Sequence, residues 1–211
     1  MAPSRHPEPD LLIDHAAGRL AAGQALVISA HLGVCAACRS DVRMAEAVGG
    51  VLLDDLAPVA MAADAMALAL GRIERPVAAA LATPARADWI AAPQAALYAA
   101  RHRRRWAAPG VWVAPISQGP ARLRTYLLGI GAGISVPRHT HRGAEMICVL
   151  KGAFHDGADV YGPGDFAFSD TDVEHKPMIP PSGDCVCLVA VEGALIPRDW
   201  VGRLFQPLVG I

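Results

Sequence analysis

Near residue 105 the period of the hydrophobic pattern changes, and that change commits the chain to two unlike halves. After it come "VWVAPI", "ARLRTYLLGI", "EMICVLKG", "DFAFSD" and "CVCLVAVEG", short segments rich in β-branched and aromatic residues. Turn residues separate them, among them Gly131, Gly133, Gly152, Gly157, Gly162, Pro163, Gly164 and Gly183. Strands this short and this closely spaced specify an all-β barrel or sandwich.

Before the change, residues 10 to about 75 read as helical. "DLLIDHAAGRLAAGQALVISAHL" is rich in Leu and Ala, with Asp10 as the expected N-cap and Gly18 and Gly23 as breaks. A longer helix is expected from Cys35 to about Leu56, with Ala45, Val48, Leu52 and Leu56 on one apolar face. Met44, Val51 and Leu53 lie off that stripe, so the helix is apolar on more than one side. It either offers a surface to a partner or is a core helix packed on two sides. Another helix is expected over about Asp64 to Glu74, with Met66, Leu70 and Ile73 in register. The scattered prolines of "RPVAAALATPARADWIAAPQ" read as a linker. The resulting division is a helical domain over 1–80, a linker over 81–104 and a β-domain over 105–211.

Bulk properties exclude several classes. The chain is 53% hydrophobic and 18% charged, which argues against disorder, and its formal net charge of -1 gives no general pull toward nucleic acid. "MAPSRHPEPD" has prolines and charges where a signal peptide needs an apolar run, and no segment approaches the ~20 apolar residues of a membrane span. A soluble, cytoplasmic protein is expected. In that reducing compartment the five cysteines (Cys35, Cys38, Cys148, Cys185, Cys187) point to metal binding or catalysis rather than a disulfide framework.

The first candidate cluster is "HLGVCAACR". His31, Cys35 and Cys38 are spaced i, i+4, i+7, which on a continuous helix puts them on one face. Thiolates and imidazole suit tetrahedral Zn²⁺. A fourth ligand has to come from His6, in a proline-bracketed tail free to fold over the site, or from His15; His6 is preferred. A thioredoxin-like redox pair would need a strand before the cysteines, and the segment there reads as helical. The cluster resembles the H-x-x-x-C-x-x-C signature of zinc-binding anti-sigma factors, small helical proteins that hold an extracytoplasmic-function sigma factor inactive. That family takes its fourth ligand from an upstream histidine, and His6-Pro7 fits by position.

The second cluster is "GISVPRHTHRGAEMICVLKG". On a strand His139 and His141 share a face, and Glu145 follows after a short bend. Two imidazoles and a carboxylate suit Zn, Fe, Mn or Ni. Downstream, "GPGDFAFSDTDVEHKP" supplies a Pro-Gly turn, a strand and His175 as a fourth ligand. The first stretch matches the cupin pattern G-x5-H-x-H-x3-E-x6-G at each named position; the second matches less strictly, because His175 falls late after the turn.

Helical zinc motif followed by cupin motif resembles the ChrR-type anti-sigma factors. The resemblance implies a multidomain α+β chain: a small four-helix zinc domain, then a cupin barrel, the double-stranded β-helix. It implies Zn²⁺ at the first site and Zn²⁺ or another divalent transition metal at the second. It also implies an extracytoplasmic-function sigma factor as partner, no direct nucleic-acid or membrane binding, and release of sigma under singlet oxygen or organic peroxide sensed through the cupin. The alternative is a metal-dependent cupin enzyme, a dioxygenase or isomerase, which would not need the first 75 residues.

Other features are weaker. "RHRRRW" could meet phosphates but reads more simply as a solvated basic face. Cys185 and Cys187 share a strand face and are either buried small residues, a thiol pair or an aid to the metal; Cys148 reads as core.

Overall fold

The computed structural model describes residues 2–73, 103–118, 123–193 and 195–197. Four helices come first: α1 (Pro9–Ala16), α2 (Ala22–Leu32), α3 (Ala36–Asp54) and α4 (Ala65–Ile73). The strands follow: β1 (Arg105–Ala108), β2 (Val111–Gln118), β3 (Leu123–Ile130), β4 (His139–His141), β5 (Glu145–Lys151), β6 (Phe154–Asp156), β7 (Asp159–Tyr161), β8 (Phe166–Ser169), β9 (Cys185–Glu192) and β10 (Leu195–Pro197). The expected linker lies, apart from residues 103–104, outside the described residues, as does His102.

Proline sets the first helix. Pro9 occupies its first turn, where a missing N–H costs nothing, so Glu8 rather than Asp10 is the N-cap residue and its carbonyl accepts from Leu11 and Leu12. Gly18 ends that helix region with φ 67°, as expected. Gly23 is not a break. It sits inside α2 because its missing side chain makes room for a neighbour: a Cβ there would meet Thr125 Oγ1 of β3 at 1.9 Å.

The barrel is antiparallel throughout. Its main sheet runs β1-β2-β3-β9-β5-β8, beside two smaller pairs, β10-β4 and β6-β7. Side chains alternate across the strands with the period of two that the pleat requires. Tyr126, Ile147, Val149, Phe154, Cys185, Cys187, Val189 and Val191 fill the interior. Over β3, β5 and β9 the opposite face is covered as well. Leu127, Met146, Cys148, Phe166, Leu188 and Ala190 join Leu26, Val27 and Ile28 of α2 in a second apolar cluster. Both faces of β5 and β9 are therefore buried, which is why "CVCLVAV" has no polar alternation.

The surroundings of the long helix bear on the choice left open by its pattern. α3 buries only Cys38 and Val42, and Ala45 packs partly; Met44, Val48, Val51, Leu52 and Leu53 are exposed, as is Leu56 beyond its end. α4 buries no residue, leaving Met66, Leu68, Leu70 and Ile73 in solvent. Among the described residues nothing covers this surface, which fits a surface offered to a partner better than a core helix packed on two sides. No helix among the described residues is long and apolar enough to cross a membrane.

Candidate metal centres

The first cluster forms at a helix-turn-helix corner. α2 stops at Leu32, and Cys35, with φ -100° and ψ 107°, is the N-cap residue of α3. His31, Cys35 and Cys38 therefore do not share one helix face, as their spacing implied. Gly33 and Val34 turn the chain, and the turn makes the three side chains converge. His31 Nε2 lies 3.3 Å from Cys38 Sγ. His6 Nδ1 lies 3.4 Å from each of Cys35 Sγ and Cys38 Sγ. One donor atom from each of His6, His31, Cys35 and Cys38 falls within 4.8 Å of the other three. His15 is not in this group.

The tail that brings His6 is not free, as the sequence had implied. The buried Asp165 accepts the Ser4 N–H at 2.6 Å and the Arg5 N–H at 3.0 Å. The Phe166 N–H donates to the Arg5 carbonyl at 3.1 Å, and Arg5 Nη2 pairs with Asp159 at 2.5 Å. His31 is fully buried, and its Nδ1 lies 2.7 Å from the Gly164 carbonyl. A carbonyl only accepts, so Nδ1 carries the proton and Nε2 turns a lone pair toward Cys38. Burial lowers the His31 pKa, against the Gly164 hydrogen bond, and this favours the neutral ring that a metal needs.

In the second cluster β4 supplies His139 and His141 and β5 supplies Glu145. His175 joins them through a two-way backbone bridge, His139 and His175 exchanging N–H···O bonds of 3.1 Å each. All four are buried. His175 Nε2 lies 2.9 Å from His139 Nε2 and 3.2 Å from His141 Nε2, and His141 Nε2 lies 3.3 Å from Glu145 Oε2. The late position of His175 after the Pro-Gly turn thus does not keep it from the group.

The protons decide what this arrangement can hold. His139 Nδ1 donates to the Pro137 carbonyl at 2.8 Å, and His175 Nδ1 to Asp156 Oδ2 at 3.0 Å. With both Nδ1 atoms protonated, the two Nε2 atoms face each other as lone pairs, a repulsion that a cation between them would remove. A proton is a poor choice for His139, whose pKa burial lowers to about 4. Burial pushes Glu145 up, but the His141 hydrogen bond and the neighbouring imidazoles outweigh it, so the carboxylate stays below its ordinary range. His139 and His175 present Nε2 lone pairs, His141 Nε2 would give up the proton it donates to Glu145 in exchange for a cation, and with the carboxylate this set fits a divalent transition metal. The first cluster, with two thiols and two imidazoles, fits tetrahedral Zn²⁺. Burial, then Cys35, pushes the Cys38 thiol up to about 12; a cation held there would favour the thiolate instead.

Asp156, Asp165 and the carbonyls of Pro137 and Gly164 orient ligands in both clusters, and none stood out in the sequence. Asp156 lies 19 residues from its partner His175, and Asp165 lies 161 residues from Ser4, so no local motif marks either. Cys148 is core. Cys185 and Cys187 are buried inside the barrel with their sulfurs 3.6 Å apart. Of the basic stretch, Arg104 lies over the Trp112 ring and Trp106 is exposed.

Residues 81–194 match the model of the ChrR cupin-like domain. The chain is 35% identical over 210 residues to the anti-sigma-E factor ChrR of Cereibacter sphaeroides, covering 98% of each protein. Among solved structures it resembles ChrR from the Rhodobacter sphaeroides complex of SigE with the anti-sigma ChrR, at 33% identity and a TM-score of 0.74, over 90% of this chain and 100% of that one. A cupin protein of Ralstonia eutropha JMP134 aligns over 44% of this chain and 63% of its own, at 24% identity and a TM-score of 0.42. With the match running nearly end to end, the chain belongs to the ChrR family of anti-sigma factors.

Proposed function

We propose that this chain is a cytoplasmic anti-sigma factor that sequesters an extracytoplasmic-function sigma factor through α3 and α4, and releases it under oxidative stress sensed at the cupin cluster. The observation that carries the reading is the exposed apolar surface of Val48, Val51, Leu52, Leu56, Met66 and Leu70. Exposed apolar helix faces of this kind mark a partner. The solved relative is itself a complex with a sigma factor, and this chain matches its anti-sigma subunit over that subunit's full length.

In this reading Zn²⁺ at His6, His31, Cys35 and Cys38 fixes a helical corner with little core of its own. A divalent transition metal at His139, His141, Glu145 and His175 supplies the chemistry that meets the oxidant. The chain is not an enzyme: a catalytic role would use the second cluster and leave the apolar helices without a purpose.

Co-purification with the sigma factor encoded beside it tests the partner. Leu52→Asp places a charge in the apolar surface and should weaken the complex at least tenfold with the helical content unchanged. Retained binding would move the interface elsewhere. His141→Ala and Glu145→Ala should still repress sigma-dependent transcription at rest, yet fail to induce under singlet oxygen or organic peroxide. Normal induction in both would remove the sensing role from this cluster.

A further inference from the structure

The eleven residues from Asp156 to Phe166 touch both clusters. At one end Asp156 accepts from His175 Nδ1 at 3.0 Å and from the Lys176 N–H at 3.3 Å. Asp156 is paired with Asp159 across the hairpin of β6 and β7, and Asp159 binds Arg5. At the other end the Gly164 carbonyl holds His31 Nδ1, and Asp165 holds the backbone of Ser4 and Arg5, next to His6. Asp165 is itself fixed by the Gly162 N–H at 2.8 Å, one residue past β7. A plain loop-capping role would account for the Gly162 bond. It would not account for a buried carboxylate whose other partners are 160 and 161 residues away.

We propose that Asp165 is a positioning residue for the first metal site, and that the Asp156–Phe166 segment carries a change at the second site to the first. Two of the four first-site donors, His6 and His31, are oriented by this segment; the two cysteines are set by the helical corner. Groups that orient metal ligands typically hold ten- to a hundredfold in affinity. A ligand change at His175 removes one of the two partners of the Asp156 carboxylate, and the hairpin that also grips Arg5 loses one of its ties to the second site. The coupling element is contiguous and short, so its loosening reaches His6 without any step through the helices. This inference rests on the reading that both clusters bind metal.

The test uses the full-length, zinc-loaded chain and follows zinc release to a chelating dye. Wild type should hold two ions released in separable phases, and Cys35→Ser with Cys38→Ser should delete the first-site phase. Asp165→Ala should speed that phase by about tenfold or more while the second-site phase and the barrel's amide protection stay unchanged. Asp165→Asn keeps an acceptor for the Ser4 N–H and should fall between. Ser4→Pro removes that N–H without touching the barrel and should act in the same direction, so it decides the matter if Asp165→Ala does not fold. Asp156→Ala touches only the His175 end, and it should also speed first-site release. An unchanged first-site phase in Asp165→Ala and Ser4→Pro overturns the positioning role. An unchanged first-site phase in Asp156→Ala overturns the coupling. A wild-type chain with no zinc at the cysteine cluster overturns the metal reading beneath both.

Discussion

His31 Nδ1 and the carbonyl oxygen of Gly164 lie 2.7 Å apart across 133 residues of sequence. The contact joins the end of a helix to a turn of the barrel and fixes which imidazole nitrogen faces the cysteines. Gly164 holds φ 88°, and a Cβ there would meet Val34 Cγ2 at 2.7 Å and Pro3 Cγ at 2.9 Å. Gly164→Ala adds about 1–2 kcal/mol of left-handed strain to that clash. It should push the turn off the N-terminal strap, residues 3–6, and lower zinc affinity at the first site, leaving the second site filled. Metal analysis after dialysis against a graded chelator series checks this; equal loss from both sites would count against it.

The two cysteines should matter more than any orienting group. Cys35→Ser with Cys38→Ser removes both thiolates from a site that has no other soft donors. The variant should bind one fewer ion per chain and lose affinity for the sigma factor. Structural zinc supplies ~10–16 kcal/mol in small domains, far above the 2–5 kcal/mol of a single core truncation. The barrel has its own interior cluster and should keep its near-UV circular dichroism. Sigma binding that survives zinc loss would show that the corner does not need the metal.

Gly23→Ala sets two effects against each other. Within a helix Ala is better than Gly by about 1 kcal/mol. Here, however, the new methyl would sit 1.9 Å from Thr125 Oγ1, on a buried β-branched side chain with little freedom to turn away. Overpacking typically costs about 1–3 kcal/mol, so the clash should win. The helical half should separate from the barrel at lower urea, split from the barrel's own transition. A variant more stable than wild type would mean that the interface yields more easily than its packing indicates.

The two candidate clusters were legible because each is written largely within a few residues. H-x-x-x-C-x-x-C and H-x-H-x3-E keep their ligands close in sequence, and local backbone geometry makes them converge. His6 and His175 were reachable only as the nearest plausible fourth donors, since their approach depends on a strap and a bridge formed far along the chain. The exposed apolar face of α3 was visible as an excess, but periodicity alone cannot tell a helix waiting for a partner from one packed on two sides. The helix-to-barrel interface was invisible for a related reason. Leu26, Val27 and Ile28 read as ordinary helix core, and nothing in their spacing names a β-sheet as the surface they cover.

Acid should separate the strap from the metal. Burial alone would raise the Asp165 pKa, but the N–H groups of Gly162, Ser4 and Arg5 and the Ser4 hydroxyl hold it below its ordinary value. The groups around it are the His31 ring, the neutral Cys148 thiol of β5 and Tyr161 of β7, with the Arg5 and Asp159 charges beside that tyrosine. A carboxylate with a depressed folded pKa stabilises fully above its unfolded value of about 3.9, and the contribution is lost as pH falls through the lower folded value. Protons compete with the metal for thiolates and imidazoles at much higher pH. Zinc should therefore leave the first site while Ser4 and Arg5 are still bound to Asp165. The amide resonances of Ser4, Arg5 and Gly162 should move together only below about pH 3.9. An NMR titration beside a zinc-release curve checks the order. Strap resonances that shift near neutral pH, together with zinc loss, would mean that Asp165 does not hold the strap by its charge.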